Sequence, residues 1–183
     1  MASVNTSREE LFANGFFKKH KGTSTLFVET GSGGGDGIDG ALAAGFDKIV
    51  SVELSEKYYQ YCKDKFINNS KVSLIFGDSR QILPAMLEEN SNHSNMFIWL
   101  DAHFSEGGTT GDNVIKTLPT EIKAIVNHLK HHATKIVLAI DDLDTPTWAQ
   151  ASSLIQNYKV IEKETFAGVE DRFIIVIELG TQQ

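Results

Sequence analysis

The stretch Leu26–Ser55, "LFVETGSGGGDGIDGALAAGFDKIVSVELS", contains the pattern that decides the fold. A short apolar run is followed by six glycines from Gly31 to Gly40, within and after which come a helix-like segment and a second apolar run. Glycine loses more backbone freedom on folding than any other residue, so a cluster of glycines needs a structural or functional reason. Between a strand and a helix, such a loop either turns the chain tightly or lets a ligand approach the backbone.

The same alternation of short apolar runs and amphipathic segments continues along the chain. Runs rich in Val, Ile and Phe are typical of strands that are buried on both faces of a parallel sheet. The predicted strands are Leu26–Glu29, Lys48–Glu53, Val72–Phe76, Met96–Asp101 and Lys135–Asp141. The helical patterns lie between them, at about Asp36–Ala44, Glu56–Asn68, Arg80–Glu89 and Leu118–His131. Strands that alternate with helices predict right-handed βαβ crossovers and an open α/β sheet.

The C-terminal part departs from this alternation. After a helix near Trp148–Gln156, two further strands are predicted at Lys159–Phe166 and Arg172–Leu179. The segment between them, "AGVED", is too short for a crossover, so the two strands must form an antiparallel hairpin. We therefore predict a single α/β domain, 1–183, with an open sheet of about seven strands, mostly parallel, and helices on both faces.

Acidic residues stand at or beside the end of each predicted parallel strand. In an open α/β sheet, ligands bind in the crevice beyond the carboxyl ends of the strands. The residues at those ends are Glu29, Glu53, Asp78, Asp101 and the pair Asp141 and Asp142. A single carboxylate of this kind is often a helix cap or a surface charge. Acids at every strand end along one edge of the sheet indicate a binding site instead.

Two common phosphate-binding patterns do not fit the glycine loop. A P-loop is excluded because no Gly-Lys-Ser/Thr follows the glycines. The dinucleotide pattern G-x-G-x-x-G occurs at Gly35–Gly40, but it comes several residues too late, almost entirely within the predicted helix, and carries acids where a pyrophosphate would lie. Counted from the end of the strand, the pattern is Glu29-x-Gly31-x-Gly33-x-Gly35.

These motifs resemble those of the class I S-adenosylmethionine-dependent methyltransferases, over nearly the whole chain. The family's first motif, an acid followed by G-x-G-x-G, corresponds to "ETGSGGG". An acid that ends the second strand corresponds to "IVSVELS", and a carboxylate after the third strand to "IFGDSRQIL". The family's Rossmann-like sheet also ends in an antiparallel hairpin. The resemblance implies S-adenosyl-L-methionine as cofactor, and the implied binding residues are Glu29, Gly31, Ser32, Gly33, Gly35, Glu53, Leu54, Asp78, Ser79 and Asp101.

The chemistry of this cofactor assigns a role to the main residues of the set. The glycines leave room for the methionine portion, and Glu29 favours its amino group. Glu53 accepts hydrogen bonds from the ribose hydroxyls, which need partners once they are buried. Asp78 accepts a hydrogen bond from the adenine amino group, and the Ser79 amide lies near the ring.

The strand ends that remain are expected to bind the substrate. The segments "LDAHF" and "AIDDLD" stand there in place of the Asn/Asp-Pro-Pro-aromatic signature of enzymes that methylate nucleobase amino groups. Carboxylates that converge without a cation repel one another, and a divalent ion relieves this repulsion.

The arrangement is similar to that of the metal-dependent O-methyltransferases of this class. It implies a small hydroxylated acceptor, such as a sugar or secondary metabolite, and Asp101, Asp141 and Asp142 as ligands of Mg²⁺ or another divalent ion. Asp101 and His103 are the expected catalytic residues, with His103 as general base or further metal ligand. The family often has Asn at the position of Asp142, so this chain departs from the pattern there.

Composition and charge restrict the partners and the location. The net charge of -7 argues against a nucleic-acid partner, because such proteins normally carry a basic surface. No apolar run approaches the roughly 18 residues of a membrane span. The N-terminus lacks the apolar core of a signal peptide, and the single cysteine, Cys62, fits a reducing compartment, so we expect a cytoplasmic protein. Cys62 itself is predicted to be buried on a helix as a small hydrophobic residue.

Three further segments lead to expectations of their own. The N-terminal segment 1–22 is predicted to form a short amphipathic helix whose apolar side covers either the chain's own sheet or a second copy in a homodimer. The polar, glycine-rich loop 104–113 is a candidate lid over the site. The histidines of the fourth predicted helix stand where that helix should end, and we interpret them as cations favoured by the helix dipole rather than as a metal site. They are His128, His131 and His132.

Two other functions remain compatible with the sequence. The chain could be a non-catalytic S-adenosylmethionine-binding module, or a methyltransferase that acts on a protein or another acceptor without a metal. A dehydrogenase is disfavoured by the displaced dinucleotide pattern, the terminal hairpin and the lack of a substrate domain.

Overall fold

The computed structural model describes residues 15–102, 114–132, 135–165 and 173–180, and within them the chain forms a seven-stranded sheet with helices on both faces. The strands are β1 (Leu26–Thr30), β2 (Lys48–Glu53), β3 (Val72–Phe76), β4 (Asn95–Leu100), β5 (Lys135–Leu143), β6 (Lys159–Thr165) and β7 (Phe173–Leu179). The helices are α1 (Phe16–His20), α2 (Asp36–Ala43), α3 (Glu56–Lys65), α4 (Ser79–Glu89), α5 (Val114–His131) and α6 (Thr145–Ser152).

The sheet confirms the predicted fold class of mostly parallel strands with an antiparallel C-terminal hairpin. Its strand order is β3-β2-β1-β4-β5-β7-β6. Strands β1 to β5 pair in parallel, whereas β7 is antiparallel to both β5 and β6. The antiparallel C-terminal hairpin is therefore present, and it adds β7 next to the parallel part of the sheet.

The two faces of the sheet are packed by different kinds of side chain. Helices α1, α2 and α3 cover a face that is rich in aromatic residues: Phe16, Phe17, Phe27, Phe46, Phe66, Phe97 and Trp99. Helices α4, α5 and α6 cover an aliphatic face, with contributions from Leu83, Met86, Leu87, Leu118, Ile122, Ile125, Leu129 and Ala151. Side chains alternate along a strand, so β1 directs Phe27 to the aromatic face and Val28 to the aliphatic one. Both faces of the central strands are thus removed from water.

Strand β1 lies where the strand order changes direction. The chain proceeds from β1 outward to β2 and β3, and then continues with β4 on the other side of β1. Ligands of open α/β sheets bind at such a switch point, beyond the carboxyl ends of the strands. The loop between β1 and α2, which contains the glycines, lies at this point.

One expectation about the sheet is wrong. The run Val72–Phe76 was predicted to be buried on both faces, but β3 is an edge strand whose residues are half-buried or exposed. Phe76 is 51% exposed. A short apolar run does not indicate whether a strand has one neighbour or two, because this depends on the order of the strands.

Several predicted boundaries differ from the observed ones. Helix α3 ends at Lys65 rather than at Asn68, and α6 spans Thr145–Ser152 rather than Trp148–Gln156. Helix α5 begins at Val114 rather than at Leu118, and Pro119 lies inside it. A proline near the start of a helix removes only one backbone hydrogen bond, so the helix can begin before it. Strand β5 continues beyond the predicted Asp141 to Leu143.

The described part of the N-terminal segment packs on the chain's own sheet. Residues 1–14 lie outside the described residues. Phe16 and Phe17 of α1 are 2% and 1% exposed, and the ring of Phe17 meets Trp99 with centroids 5.1 Å apart. Lys19 forms an ion pair with Glu162 of β6 at 2.5 Å. Of the helices described here, none is long and apolar enough to cross a membrane.

Candidate functional site

The glycine loop packs directly against the end of the neighbouring strand β4. Gly31 has φ +84°, a left-handed conformation that other residues adopt at a cost. A Cβ atom there would lie 2.8 Å from the carbonyl oxygen of Asp101 and 3.0 Å from Cα of Ala102. The amide of Gly31 donates to the carbonyl of Val52 at 2.8 Å, which ties the loop to β2 as well. The loop therefore lies between the ends of β2 and β4.

Glu29 lies buried beneath this loop. Ser51 of β2, which is aligned with Glu29 in the sheet, donates to Glu29 Oε2 at 2.5 Å. The hydroxyls of Ser32 and Ser51 are 2.6 Å apart, so Ser32 of the loop completes a buried chain of hydrogen bonds. Glu29 is 1% exposed. The carboxylate therefore holds the loop from below.

The other side of the Glu29 carboxylate faces Gly37 in α2. A Cβ atom on Gly37 would lie 1.9 Å from Glu29 Oε1. The first turn of α2 therefore has no room for a side chain at this position. The sequence pattern did not explain this glycine, and the structure assigns it to the packing of α2 against Glu29.

Glu53 is placed at the crevice by two backbone amides. The amide of Gly33 donates to Oε2 at 2.9 Å, and the amide of Ser55 donates to Oε1 at 2.7 Å. Glu53 is 6% exposed, and Leu54 beside it is 39% exposed. One carboxylate thus links the end of β2 to the glycine loop, which brings together the first and second sequence motifs.

The third motif forms the start of α4. Asp78 is the N-cap of this helix and accepts from the amide of Arg80 at 2.9 Å. The Arg80 guanidinium also pairs with both oxygens of Asp78. Its Nε donates to Oδ1 at 2.9 Å, and its Nη2 donates to Oδ2 at 2.5 Å. These hydrogen bonds lower the pKa of the Asp78 carboxyl below its ordinary value. Asp78 is therefore a charged cap at the edge of the crevice, and Ser79 behind it is 6% exposed.

The acids after β4 and β5 lie on neighbouring strands. Leu100 of β4 is aligned with Ile140 of β5, so Asp101 and Asp141 follow at adjacent positions of the two strands. Asp141 is fully buried and its Oδ1 accepts from the amide of Asp142 at 2.7 Å. Asp142 has a positive φ of 49°, and among the described residues it is the one non-glycine residue with a positive φ.

The conformation of Asp142 coincides with an irregularity in the sheet. The pairing of β5 with β7 shifts register between Ile140 and Leu143. An extra residue of this kind bends a strand and redirects a side chain, and such bulges are frequent beside active sites. Asp and Asn tolerate the left-handed conformation better than most residues. The bulge explains why an Asp-Asp pair can occur inside a strand.

The predicted metal ligands are not gathered into a cluster. Where the structure describes the chain, one group of three His, Cys, Asp or Glu side chains has its ligand atoms within 4.8 Å of one another. That group is Glu88, His128 and His132, and it does not include Asp101, Asp141 or Asp142. The predicted base His103 and the candidate lid 104–113 lie outside the described residues.

Sequence reasoning missed several residues that support the loop. Cys62 of α3 lies buried, as predicted, and its thiol contacts the carbonyl of Gly33 at 3.3 Å. Burial, reinforced by the charge of Glu29, raises the pKa of the Cys62 thiol to about 11. The ring of Phe66 would lie 2.8 Å from a Cβ atom on Gly35. Only the alternation of side chains in β2 could have shown that Ser51 shares a face with Glu29.

Comparison with known proteins identifies the fold. No protein-family model matches the sequence, and no curated protein is recognisably similar to it in sequence. Among solved structures, precorrin-6y C5,15-methyltransferase from Geobacter metallireducens matches with a TM-score of 0.60 at 16% identity, over 98% of this chain and 94% of that one.

Two other solved structures are similar to a comparable extent. An O-methyltransferase from Bacillus cereus, solved in complex with SAH, matches with a TM-score of 0.60 at 15% identity, over 94% of this chain and 82% of that one. A ribosomal protein L11 methylase from Lactobacillus delbrueckii subsp. bulgaricus matches with a TM-score of 0.58 at 12% identity, over 94% and 78% of the two chains. At these identities the likeness shows the fold alone, which this chain shares with the three methyltransferases. The names of these enzymes describe different acceptors, so the likeness does not identify the substrate.

Proposed function

We propose that the chain is an S-adenosylmethionine-dependent methyltransferase that methylates a hydroxyl group of a small molecule. The observation that carries this proposal is the hydrogen bond that the Gly33 amide donates to Glu53 Oε2 at 2.9 Å, which links the glycine loop to the end of β2. This hydrogen bond links the two motifs on which the family resemblance depends, and it lies at the switch point of the sheet.

The residues present fit the cofactor. Cβ atoms on Gly33 or Gly34 would meet nothing within 4 Å, so the outer part of the loop faces open space. Glu53 is held at the same place with both oxygens fixed by amides, and a carboxylate oxygen can accept further hydrogen bonds from ribose hydroxyls. The acids at the strand ends also favour a ligand that carries a sulfonium cation and an amino group.

The role of the chain in the reaction is to position the two reactants. S-adenosylmethionine supplies an electrophilic methyl group, which the acceptor oxygen takes while the carbon–sulfur bond breaks. In this proposal the glycine loop and Glu53 hold one reactant, and the ends of β4 and β5, which lie side by side, are assigned to the other. His103 is the predicted acceptor of the hydroxyl proton.

A requirement for Mg²⁺ is a separate part of the proposal. It rests on the adjacent positions of Asp101 and Asp141 and on the bulge that displays Asp142. Because these carboxylates are not gathered as ligands, we assign no step to a metal. Turnover with and without EDTA, measured once an acceptor is found, decides this part.

Calorimetric titration of the full chain with S-adenosylmethionine tests the cofactor. We expect binding of S-adenosylmethionine and no comparable binding of NAD. Glu53→Ala should weaken S-adenosylmethionine binding by about 1–3 kcal/mol, because buried hydroxyls would lose their acceptor. Glu56→Ala, which removes the same charge from an exposed position in α3, is the matched control and should leave the affinity nearly unchanged.

An activity screen over catechols, sugars and small peptides tests the acceptor. Methylation of a hydroxyl compound supports the proposal, and methylation of peptides alone contradicts the choice of a small molecule. Binding of S-adenosylmethionine without any turnover over a broad panel would favour a non-catalytic module. Tight binding of NAD without binding of S-adenosylmethionine would overturn the cofactor itself.

A further inference from the structure

A cluster of metal-ligating side chains lies between α4 and α5, outside the proposed methyltransferase site. Its members are Glu88 of α4, His128 of α5 and His132, which follows that helix directly. One ligand atom of each lies within 4.8 Å of the others. The amide of His132 donates to the carbonyl of His128 at 3.0 Å, so the helical geometry continues to His132.

The two histidines share one face of the helix. Residues four apart in a helix are neighbours on its surface, and a pair of histidines at this spacing is a recurrent zinc-binding arrangement. The rings of His128 and His132 are stacked with centroids 4.3 Å apart. Nε2 of His132 lies 2.9 Å from Glu88 Oε2, so the carboxylate already reaches the ring of the second histidine.

His128 contributes an independent observation. It is 6% exposed, and its Nε2 has no hydrogen-bond partner within the part of the chain that the structure describes. A buried polar atom without a partner is unfavourable by about 1–3 kcal/mol. Burial and the neighbouring His132 lower the pKa of His128, which disfavours the charged ring that we expected from the sequence.

The cluster is far from the crevice. Helix α4 starts at the carboxyl edge of the sheet with Ser79 and reaches Glu88 nine residues later, about 14 Å along the helix. His128 and His132 likewise lie at the far end of α5. A ligand here would therefore join the C-terminal ends of two helices that pack on the aliphatic face of the sheet. These helix ends lie at the opposite ends of the strands from the glycine loop.

The set of donors favours a particular class of ion. Two imidazoles and one carboxylate suit Zn²⁺ and neighbouring transition metals, whereas Mg²⁺ prefers oxygen ligands and octahedral geometry. The side chain of Glu88 is 69% exposed, so an ion can enter from solvent and a fourth position stays open to water.

We propose that Glu88, His128 and His132 form a binding site for a divalent transition-metal ion, Zn²⁺ being the physiological candidate, that clamps the C-terminal ends of α4 and α5. The ion takes the unpartnered Nε2 of His128 as a ligand and replaces the hydrogen bond between His132 and Glu88. This inference goes beyond the proposed methyltransferase function and does not depend on it.

The test is a competition titration of the tag-free, EDTA-treated full chain with Zn²⁺ against a chromophoric chelator. We expect one ion per chain, and a roughly 100-fold loss of affinity for His132→Ala and a clear loss for Glu88→Gln. His131→Ala is the matched control, because His131 is an exposed histidine next to His132 and does not belong to the cluster. Its affinity should equal that of the unaltered chain.

Two further measurements keep the proposal falsifiable if a variant folds poorly. At a roughly hundredfold excess over its dissociation constant, Zn²⁺ should raise the melting temperature of the unaltered chain by about 5–10 °C, and Mg²⁺ should not. The Co²⁺-loaded chain should show the strong visible absorption of a tetrahedral site. Equal affinities of the His132→Ala and His131→Ala chains, or no stoichiometric binding to the unaltered chain, would overturn the site. Titration with S-adenosylmethionine remains unaffected in either case.

Discussion

At the scale of single residues, the contact between Glu29 and Gly37 explains why the segment after the loop keeps its glycine. The Glu29 carboxylate is fixed on one side by Ser51 and occupies on the other side the space where a side chain of residue 37 would be. The glycine loop and the helix that follows it thus meet on one buried charge. Gly34 in the same loop has no such neighbour, since a Cβ atom there would meet nothing within 4 Å.

Gly37→Ala should lower the free energy of unfolding by about 1–3 kcal/mol, the usual effect of forcing extra atoms into a packed site. This loss should exceed the gain from the better helix propensity of alanine. Urea unfolding measures the change, and Gly34→Ala is the control that should be close to neutral. In the Glu29→Ala background the same substitution should be much less destabilising, because the competing carboxylate is gone. Additive effects of the two substitutions would contradict the contact.

The pair of Asp78 and Arg80 gives the chain a pH-dependent contribution to stability. Hydrogen bonds from Arg80 hold the pKa of Asp78 below its ordinary value of 3.8. The unfolded chain therefore binds a proton at higher pH than the folded one. The stabilisation is complete above the ordinary pKa and is lost as the pH falls through the lower pKa of the folded state.

Arg80→Ala should consequently destabilise the chain near pH 7 by up to about 1 kcal/mol, the scale of a partly exposed ion pair. The difference between the two chains should shrink below about pH 4. Urea unfolding at pH 7, 5 and 3 measures it. A difference that stays constant over this range would mean that Arg80 acts through packing and not through the charge of Asp78.

At the scale of elements, the bulge in β5 decides how the end of that strand is built. Asp142 adopts φ 49° at the point where the pairing with β7 shifts. Asn tolerates this conformation, whereas for a β-branched residue it is unfavourable by about 1–2 kcal/mol.

Asp142→Asn should therefore leave the melting temperature almost unchanged, and Asp142→Val should lower the free energy of unfolding by about 1–2 kcal/mol. Thermal and urea unfolding of both chains measure this pair of effects. Equal stabilities would show that residue 142 does not need the left-handed conformation. The Asn chain also separates fold from chemistry, because it removes the carboxylate while keeping the bulge.

The strands and helices also show how far the structure could be predicted from the sequence. The central strands were predicted within a residue or two, because β1, β2 and β4 are buried on both faces and consist mostly of apolar residues. The hairpin followed from a connection too short to cross the sheet. The exposed position of β3 and the early start of α5 were not predictable in this way. The first depends on strand order, and the second on a proline that the helix tolerates.

For the candidate sites, the sequence predicted which residues stand at strand ends. It did not predict which hydrogen bonds those residues form. Glu53 was expected near the glycine loop, and its bond to the Gly33 amide agrees with that position. The pairing of Glu88 with the histidines of α5 could not be foreseen. Glu88 and His132 are 44 residues apart in sequence and meet only because α4 and α5 pack side by side.

At the scale of the whole molecule, the two proposed sites lie at opposite ends of the parallel strands. The glycine loop and Glu53 lie at the carboxyl ends of the strands, whereas Glu88, His128 and His132 lie on helices at the amino ends. If both proposals hold, each ligand should order the residues around its own site and leave the other site unchanged. Bound ligands slow hydrogen exchange by suppressing the local opening that exposes amides.

Hydrogen exchange followed by mass spectrometry can compare the two responses in one chain. S-adenosylmethionine should protect peptides that contain residues 31–37 and 53–56, where the amides of Gly33 and Ser55 meet Glu53. Zn²⁺ should protect peptides that contain residues 86–90 and 126–132, and Mg²⁺ should not. With each ligand near its dissociation constant for the unaltered chain, the Glu53→Ala chain should show a weaker first response only, and the His132→Ala chain a weaker second response only. Protection of the glycine loop by Zn²⁺ would place the ion among the acids of the crevice and contradict the site between α4 and α5.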